Sequence, residues 1–161
     1  MFRTLIMIVL VATTAMAQST AVAPPQTAYG PPIALENAKK AAAAGIAEAR
    51  KNNWNMAVAI VDMAGYLVYF ERMDNTQFGS IELAIEKART SALFRRPSKF
   101  FQDGLAAGGE GLRFLRLTGS IPVEGGFPIL ADGKIVGAVG VSGGSGAQDS
   151  QVAKAGADSI K

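Results

Sequence analysis

The sequence predicts an α/β (α+β) domain in which a mainly antiparallel sheet of about five strands is flanked by helices. Three observations carry this reading. Asp132-Gly133 sits between two apolar runs, and a two-residue turn that needs positive φ at both central positions makes Asp-Gly a strong hairpin signal. Met56 to Val61 is a continuous apolar run followed by the turn-forming stretch 62–65, the pattern of a strand buried on both faces. Elsewhere apolar residues recur at helical spacing, first Leu35, Ala38, Ala42, Ile46 and Ala49, then Ile81, Ala84, Ile85, Ala88 and Ala92.

In chain order, residues 34–52 read as an amphipathic helix whose alanine stripe permits close approach to a sheet. Residues 56–61 and 66–71 form the first hairpin across the turn at 62–65. Ser80 is the expected N-cap of the second helix, with Glu82 in its first turn. Pro97 ends that helix or bends the chain into another, over 97–107. Gly108-Gly109-Glu110-Gly111 is a loop, and Leu112 to Leu117 reads as a short strand interrupted by Arg113 and Arg116. Phe127–Ala131 and Lys134–Val141 make the final hairpin, and Ala147 to Ile160 closes the chain as a helix. Consecutive hairpins favour an antiparallel sheet with helices packed against it. No internal repeat is evident.

The ends and the composition set the context. Arg3, the apolar run from Leu5 to Ala12 and the small-x-small triplet Ala15-Met16-Ala17 have the form of a cleaved export signal. The run is much shorter than the ~20 residues a membrane span takes, so no membrane anchor is expected after cleavage following Ala17. A periplasmic or secreted location follows. Residues 18–32 contain Pro24, Pro25, Pro31 and Pro32 among small polar neighbours and read as a flexible or extended tether. The domain occupies 33–161. The formal net charge is +3; the local concentration Arg95-Arg96 with Lys99 is too short for a nucleic-acid stripe and fits a solvated helix end. With no cysteine and 49% hydrophobic residues, stability rests on burial without disulfides, and association into a homo-oligomer is expected to bury more.

Several short motifs in order resemble one known family. Glu124-Gly125-Gly126-Phe127-Pro128 precedes the last hairpin and Val141-Ser142-Gly143-Gly144 follows it. Upstream stand Val61-Asp62-Met63-Ala64-Gly65-Tyr66-Leu67-Val68, Arg72-Met73-Asp74 and Lys87-Ala88-Arg89-Thr90, and downstream Gln148-Asp149 and Ala155-Gly156. Over roughly 33–160 the chain resembles the GlcG/HbpS-like family, small proteins described as haem-binding or haem-degrading and related to the PduO C-terminal domain. The resemblance implies a profilin-like or PAS-like sandwich, haem or another tetrapyrrole as ligand, and subunits that associate.

Read for chemistry, the chain is defined by what it lacks. It contains no histidine and no cysteine, which removes the imidazole base, the thiolate nucleophile and ordinary zinc sites. No metal site is expected, and a bound haem has no proximal histidine or cysteine. Tyr29, Tyr66, Tyr69, Met56, Met63, Met73 and the lysines remain; Tyr66 and Tyr69 are the named haem-ligand candidates, although such residues more often pack. Of 18 glycines, only Gly30, Gly45, Gly65 and Gly79 precede residue 100. The turn from Ser142 through Gly143 and Gly144 to Gly146 leads into a helix, so its N–H groups are placed to cradle a carboxylate or phosphate. The same stretch also reads as a plain strand-to-helix turn with Asp149 on the helix dipole. It is neither a dinucleotide fingerprint nor a P-loop.

Glu124 stands beside Gly125-Gly126. Asp62, Arg72, Asp74, Lys87 and Arg89 add charge near the first hairpin and along the second helix. Lys87 is expected on the helix surface, flanking the buried stripe and bordering a pocket. Glu124 and Lys87 are the catalytic candidates if burial shifts their titration; loop-ordering ion pairs account for these charges equally well. The ligand-binding candidates are Arg72, Lys87, Glu124, Gly125, Gly126, Ser142, Gly143 and Gly144. The first functional expectation is an exported small-ligand-binding protein, more a binder than a catalyst. The alternatives are an enzyme or accessory factor acting on a small organic acid with Glu124, Lys87 and the 142–146 turn, and an oligomeric scaffold without a small ligand.

The export reading has a direct check. N-terminal sequencing of the chain recovered outside the cytoplasm is expected to begin at Gln18, and recovery of Met1 on a membrane-held product would overturn it.

Overall fold

A computed structural model describes residues 26–161; the expected export signal and residues 18–25 of the expected tether lie outside them. Helix α1 spans Leu35–Lys51, followed by β1 (Ala57–Asp62), β2 (Leu67–Arg72), α2 (Gly79–Phe94) and α3 (Lys99–Ala106). A 3-10 helix covers Gly109–Arg116, and β3 (Gly126–Ala131), β4 (Lys134–Ser142) and α4 (Gly146–Asp158) complete the chain. The sheet order is β2-β1-β4-β3, with every neighbouring pair antiparallel.

The sheet is sandwiched, which explains the unbroken apolar run of β1. Ala57, Ala59 and Val61 pack with Ala84, Ala88 and Ala92 of α2 on one face. Val58 and Ile60 pack with α1 and α4 on the other, among Ala42, Ile46, Val152 and Ala153. Alternate side chains of a strand point to opposite faces, so a central strand between helical layers needs apolar residues at every position. The alanine stripes let both layers lie close. The β3–β4 turn has the expected geometry, with φ +50° at Asp132 and +71° at Gly133.

Three expectations are corrected. The sheet has four strands rather than about five, because Leu112 to Arg116 belongs to the 3-10 helix and Leu117 caps it. A side chain at Gly111 would overlap the Gly104 carbonyl at the end of α3, so the segment folds back on that helix instead of extending. Glu110 and Arg113 pair at 3.2 Å across its three-residue repeat. Ser80 is not an N-cap: Phe78 holds that position without a side-chain cap, and Ser80 is buried inside the first turn. Finally, the stretch read as a tether is seated from residue 28 onward. Gly30 N–H donates to the Ile135 carbonyl at 2.8 Å, Ile135 N–H to the Ala28 carbonyl at 2.9 Å and Ile33 N–H to the Val136 carbonyl at 2.8 Å. The pairing of β1 with β4 ends at Asp62 opposite Gly137, and residues 28–33 take up β4 where β1 leaves it.

The last helix has a start signal that sequence reading passed over. Ser145 and Gln148 form a reciprocal capping box, each side chain serving the other's backbone N–H. It fixes where the chain leaves β4 and turns into α4.

Candidate functional site

Lys87, expected at the helix surface, is 1% exposed. Helix α2 lies flat on the sheet and the 124–126 loop closes over its side chain. The Lys87 ammonium donates to Asp149 Oδ2 at 2.6 Å and to the Val141 carbonyl at 3.0 Å. The other Asp149 oxygen accepts the Gly144 N–H at 2.9 Å. Burial pushes the Asp149 carboxyl up from its ordinary value, against the opposing pull of Lys87 and the Gly144 N–H. Gly125 adopts φ +117°, and a side chain there would stand 2.8 Å from Asp149 Cβ and 3.0 Å from Lys87 Nζ. At Gly126 a side chain would overlap the Lys87 carbonyl. The glycine pair therefore seals the ion pair from water.

The other candidates fall into separate places. Glu124 receives the Ser150 hydroxyl at 3.4 Å, and its N–H donates to Gln102 Oε1 at 2.9 Å. Ser142 donates its hydroxyl to Ser80 at 3.0 Å. In the 142–146 turn, the Gly144 N–H is taken by Asp149 and the Ser145 N–H by Gln148 Oε1 at 2.9 Å. Gly143 and Gly144 line a polar cleft of about 360 Å³. Arg72 and Asp74 line a neighbouring cleft of about 310 Å³, and Arg72 lies 5.0 Å over the Phe78 ring. Asp62 accepts the Ala64 and Tyr66 N–H groups, each at 2.9 Å, and Arg89 donates to the Gly65 carbonyl at 3.3 Å. These two hold the first hairpin turn. Tyr66 is 72% exposed, whereas Tyr69 donates its hydroxyl to Glu71 at 3.4 Å; both stand at or on edge strand β2.

Sequence reading missed an apolar groove along the opposite edge strand, β3. Phe127, Pro128, Leu130, Ile135 and Ala157 line it, its volume is about 330 Å³, and Arg95, Arg96 and Lys154 stand at its rim together with Asp158, the carboxylate that pairs with Lys154. A second depression of about 330 Å³ shares Pro128, Leu130 and Ala157. Arg95 ends α2 in the left-handed region at φ +55° and lies 4.5 Å over the Tyr29 ring. Arg96 lies 4.4 Å over Phe100 and donates to the Phe94 carbonyl at 3.0 Å. The Arg95-Arg96-Pro97 sequence was the available signal, but its cations turn toward an apolar edge rather than only toward solvent. Among the described residues no cluster of three or more His, Cys, Asp or Glu could hold a metal ion, and no helix is long and apolar enough to cross a membrane.

Comparison with known proteins places this geometry. Residues 33–158 match the sequence model of a family described as haem degrading protein HbpS-like. Protein GlcG of Escherichia coli (strain K12) is 43% identical over 100 residues, covering 62% of this chain and 73% of that protein. The structure of a Streptomyces reticuli HbpS double mutant is 29% identical with a TM-score of 0.75, over 94% of this chain and 99% of that one. A PduOC complex with haem is 25% identical with a TM-score of 0.72, over 81% and 96%.

The buried pair gives a stability prediction with a sign. Lys87→Met leaves Asp149 buried without its cation and is expected to cost about 3–5 kcal/mol in urea unfolding. Adding Asp149→Leu is expected to restore part of that loss. In the single variant the Asp149 carboxyl rises further, so the folded state keeps a proton that the unfolded chain releases. Stability gained on protonation is then lost as the pH rises through that raised value, and Lys87→Met is expected to regain stability from pH 7 to pH 5 relative to the native chain. Equal pH profiles for the two would show that Lys87 does not hold Asp149 ionised.

Proposed function

The chain belongs to the HbpS-like family, and from that premise we propose that it binds haem or another tetrapyrrole in the groove along β3. The observation that carries this reading is the pairing of an apolar floor with a cationic rim. Phe127, Pro128, Leu130 and Ile135 offer the apolar surface, and Arg95 and Arg96 stand beside it, while Lys154 is paired with Asp158 on the same rim. A tetrapyrrole is a flat apolar plate with carboxylates at its margin. Ligand sites of this kind are mostly apolar with a few placed polar groups and span roughly 300–1,000 Å³; the two depressions that share Leu130, about 330 Å³ each, fall in that range. Charge-assisted hydrogen bonds from arginine suit carboxylates.

Iron contributes little to this mode. The sequence has no histidine or cysteine, and β2, with Tyr66 and Tyr69, is at the far edge of the sheet from β3. The protein side of the interaction is the plate and its carboxylates. The organic-acid alternative requires Lys87 and the 142–146 N–H groups to be free, and the Lys87, Gly144 and Ser145 donors already have partners inside the fold. In this reading Lys87, Gly125 and Gly126 build the domain, and the activity is binding rather than turnover.

The same proposal places the chain outside the cytoplasm and associates it with copies of itself. Leu112 and Leu115 of the 3-10 helix are 55% and 62% exposed, and Phe100, 48% exposed, has its ring 6.0 Å from that of Phe114 in the same helix; exposed apolar residues of this kind are the sort that mark an interface. Light scattering at micromolar concentration is expected to show an assembly that Leu115→Glu disperses. A monomeric native chain would reject association.

Titration with haemin and with iron-free protoporphyrin IX tests the ligand. Both are expected to saturate with affinities within about threefold of each other, because the groove holds carboxylates and plate rather than metal. Leu130→Glu, and Arg95→Gln with Arg96→Gln, are each expected to weaken binding by about tenfold or more, the scale of one charge-assisted hydrogen bond. Tyr66→Phe and Tyr69→Phe are expected to change nothing. No saturable spectral change with either compound would sink the proposal; binding that needs iron and is lost with Tyr66 or Tyr69 would move the site to β2.

A further inference from the structure

The polar cleft at the β4–α4 junction has a lining unlike that of the β3 groove. Asn53, Trp54 and Asn55 come from the α1–β1 connection, Asn75 and Gln77 from the β2–α2 connection, and Gln148 from the first turn of α4. Gly143 and Gly144 form the remaining wall. No charged side chain lines this cleft. The adjoining one shares Asn55 and Asn75 and balances Arg50 and Arg72 against Glu71 and Asp74.

Anion binding is disfavoured here on two grounds. No cation lines the cleft, and the backbone N–H groups of Gly144 and Ser145 are engaged by Asp149 and Gln148. What remains are side-chain amides. Each offers donors and an acceptor in one plane, a combination that matches hydroxyl groups, which also give and receive. Gln77 keeps its carbonyl oxygen while its amide donates to Ser80 at 3.1 Å, and Gln148 keeps its NH₂ while its carbonyl caps Ser145. Trp54 adds a flat apolar face with one N–H donor.

We propose that this cleft is a second binding site, for a neutral polyhydroxylated small molecule such as a sugar or cyclic polyol. Vicinal hydroxyls pair with the amides of Asn53, Asn55 and Asn75 while the C–H face of the ligand lies on Trp54. The site is independent of the tetrapyrrole groove, which opens along β3 with no residue in common.

Trp54 is the sole tryptophan of the sequence, so its fluorescence reports this cleft. The test titrates the purified chain with D-glucose, myo-inositol and, as the acidic counterpart, D-gluconate. A saturable change in Trp54 emission is expected with at least one of the neutral compounds, with gluconate at least about tenfold weaker than the neutral ligand that binds. Asn53 and Asn75 have φ +58° and +64°, so Asn53→Gly and Asn75→Gly remove the amides in a conformation glycine adopts freely. Each is expected to weaken binding by about tenfold, with unchanged circular dichroism and unchanged porphyrin titration. Absence of saturation with both neutral compounds, gluconate binding as tightly as they do, or affinities unaffected by both glycine variants would each overturn the proposal.

Discussion

One buried ion pair ties together the parts that define this domain. Lys87 comes from the helix on one face of the sheet and Asp149 from the helix on the other, and they meet at the Val141 carbonyl near the end of β4. Removing two charges from water is costly, and only close geometry with further hydrogen bonds offsets it. That condition is met here by the Val141 carbonyl on one partner and the Gly144 N–H on the other. The left-handed Gly125, the close approach at Gly126 and the entry angle of α4 all follow from enclosing it. Gly125 and Gly126 are thus explained by a salt bridge rather than by a ligand.

Elements governed by local chemistry were legible in the sequence. Asp132-Gly133, the double-faced apolar run of β1 and the alanine stripes of α1 and α2 each carry their reason within a few residues. Lys87 was misplaced because helical periodicity locates it beside the buried stripe, whereas its burial is decided by the 124–126 loop and by Asp149, 62 residues further on. Leu112–Leu117 was misread because its apolar residues suit a strand until Gly111 is seen to need the backbone of Gly104. Residues 28–33 were read from their prolines alone, yet their partners lie on β4.

The candidate site was legible by membership more than by geometry. Motifs around Glu124-Gly125-Gly126 and Ser142-Gly143-Gly144 identified the family, and the structure then gives most of those residues internal partners. The surfaces left open draw mostly on other residues and differ in chemistry. The β3 groove combines apolar floor and cations; the cleft at the start of α4 presents amides and an indole. Neither has a periodic or spaced signature, because each gathers residues from three or more separate parts of the chain that only the completed sheet brings together.

The seating of residues 28–33 on β4 also sets an order of events during synthesis. This segment leaves the ribosome before any helix or strand of the domain, but its hydrogen-bond partners are Ile135 and Val136. More than a hundred residues intervene, and closing so long a loop carries an entropic cost that has to be met before the contacts form. The start of the domain stays without its seat until the last hairpin exists. Tyr29, whose hydroxyl reaches the Ala92 carbonyl at 2.8 Å, then latches onto the end of α2 as a late step. A nascent chain arrested before β4 would retain an unpaired leading segment, open to whatever receptor or chaperone reads the emerging end first.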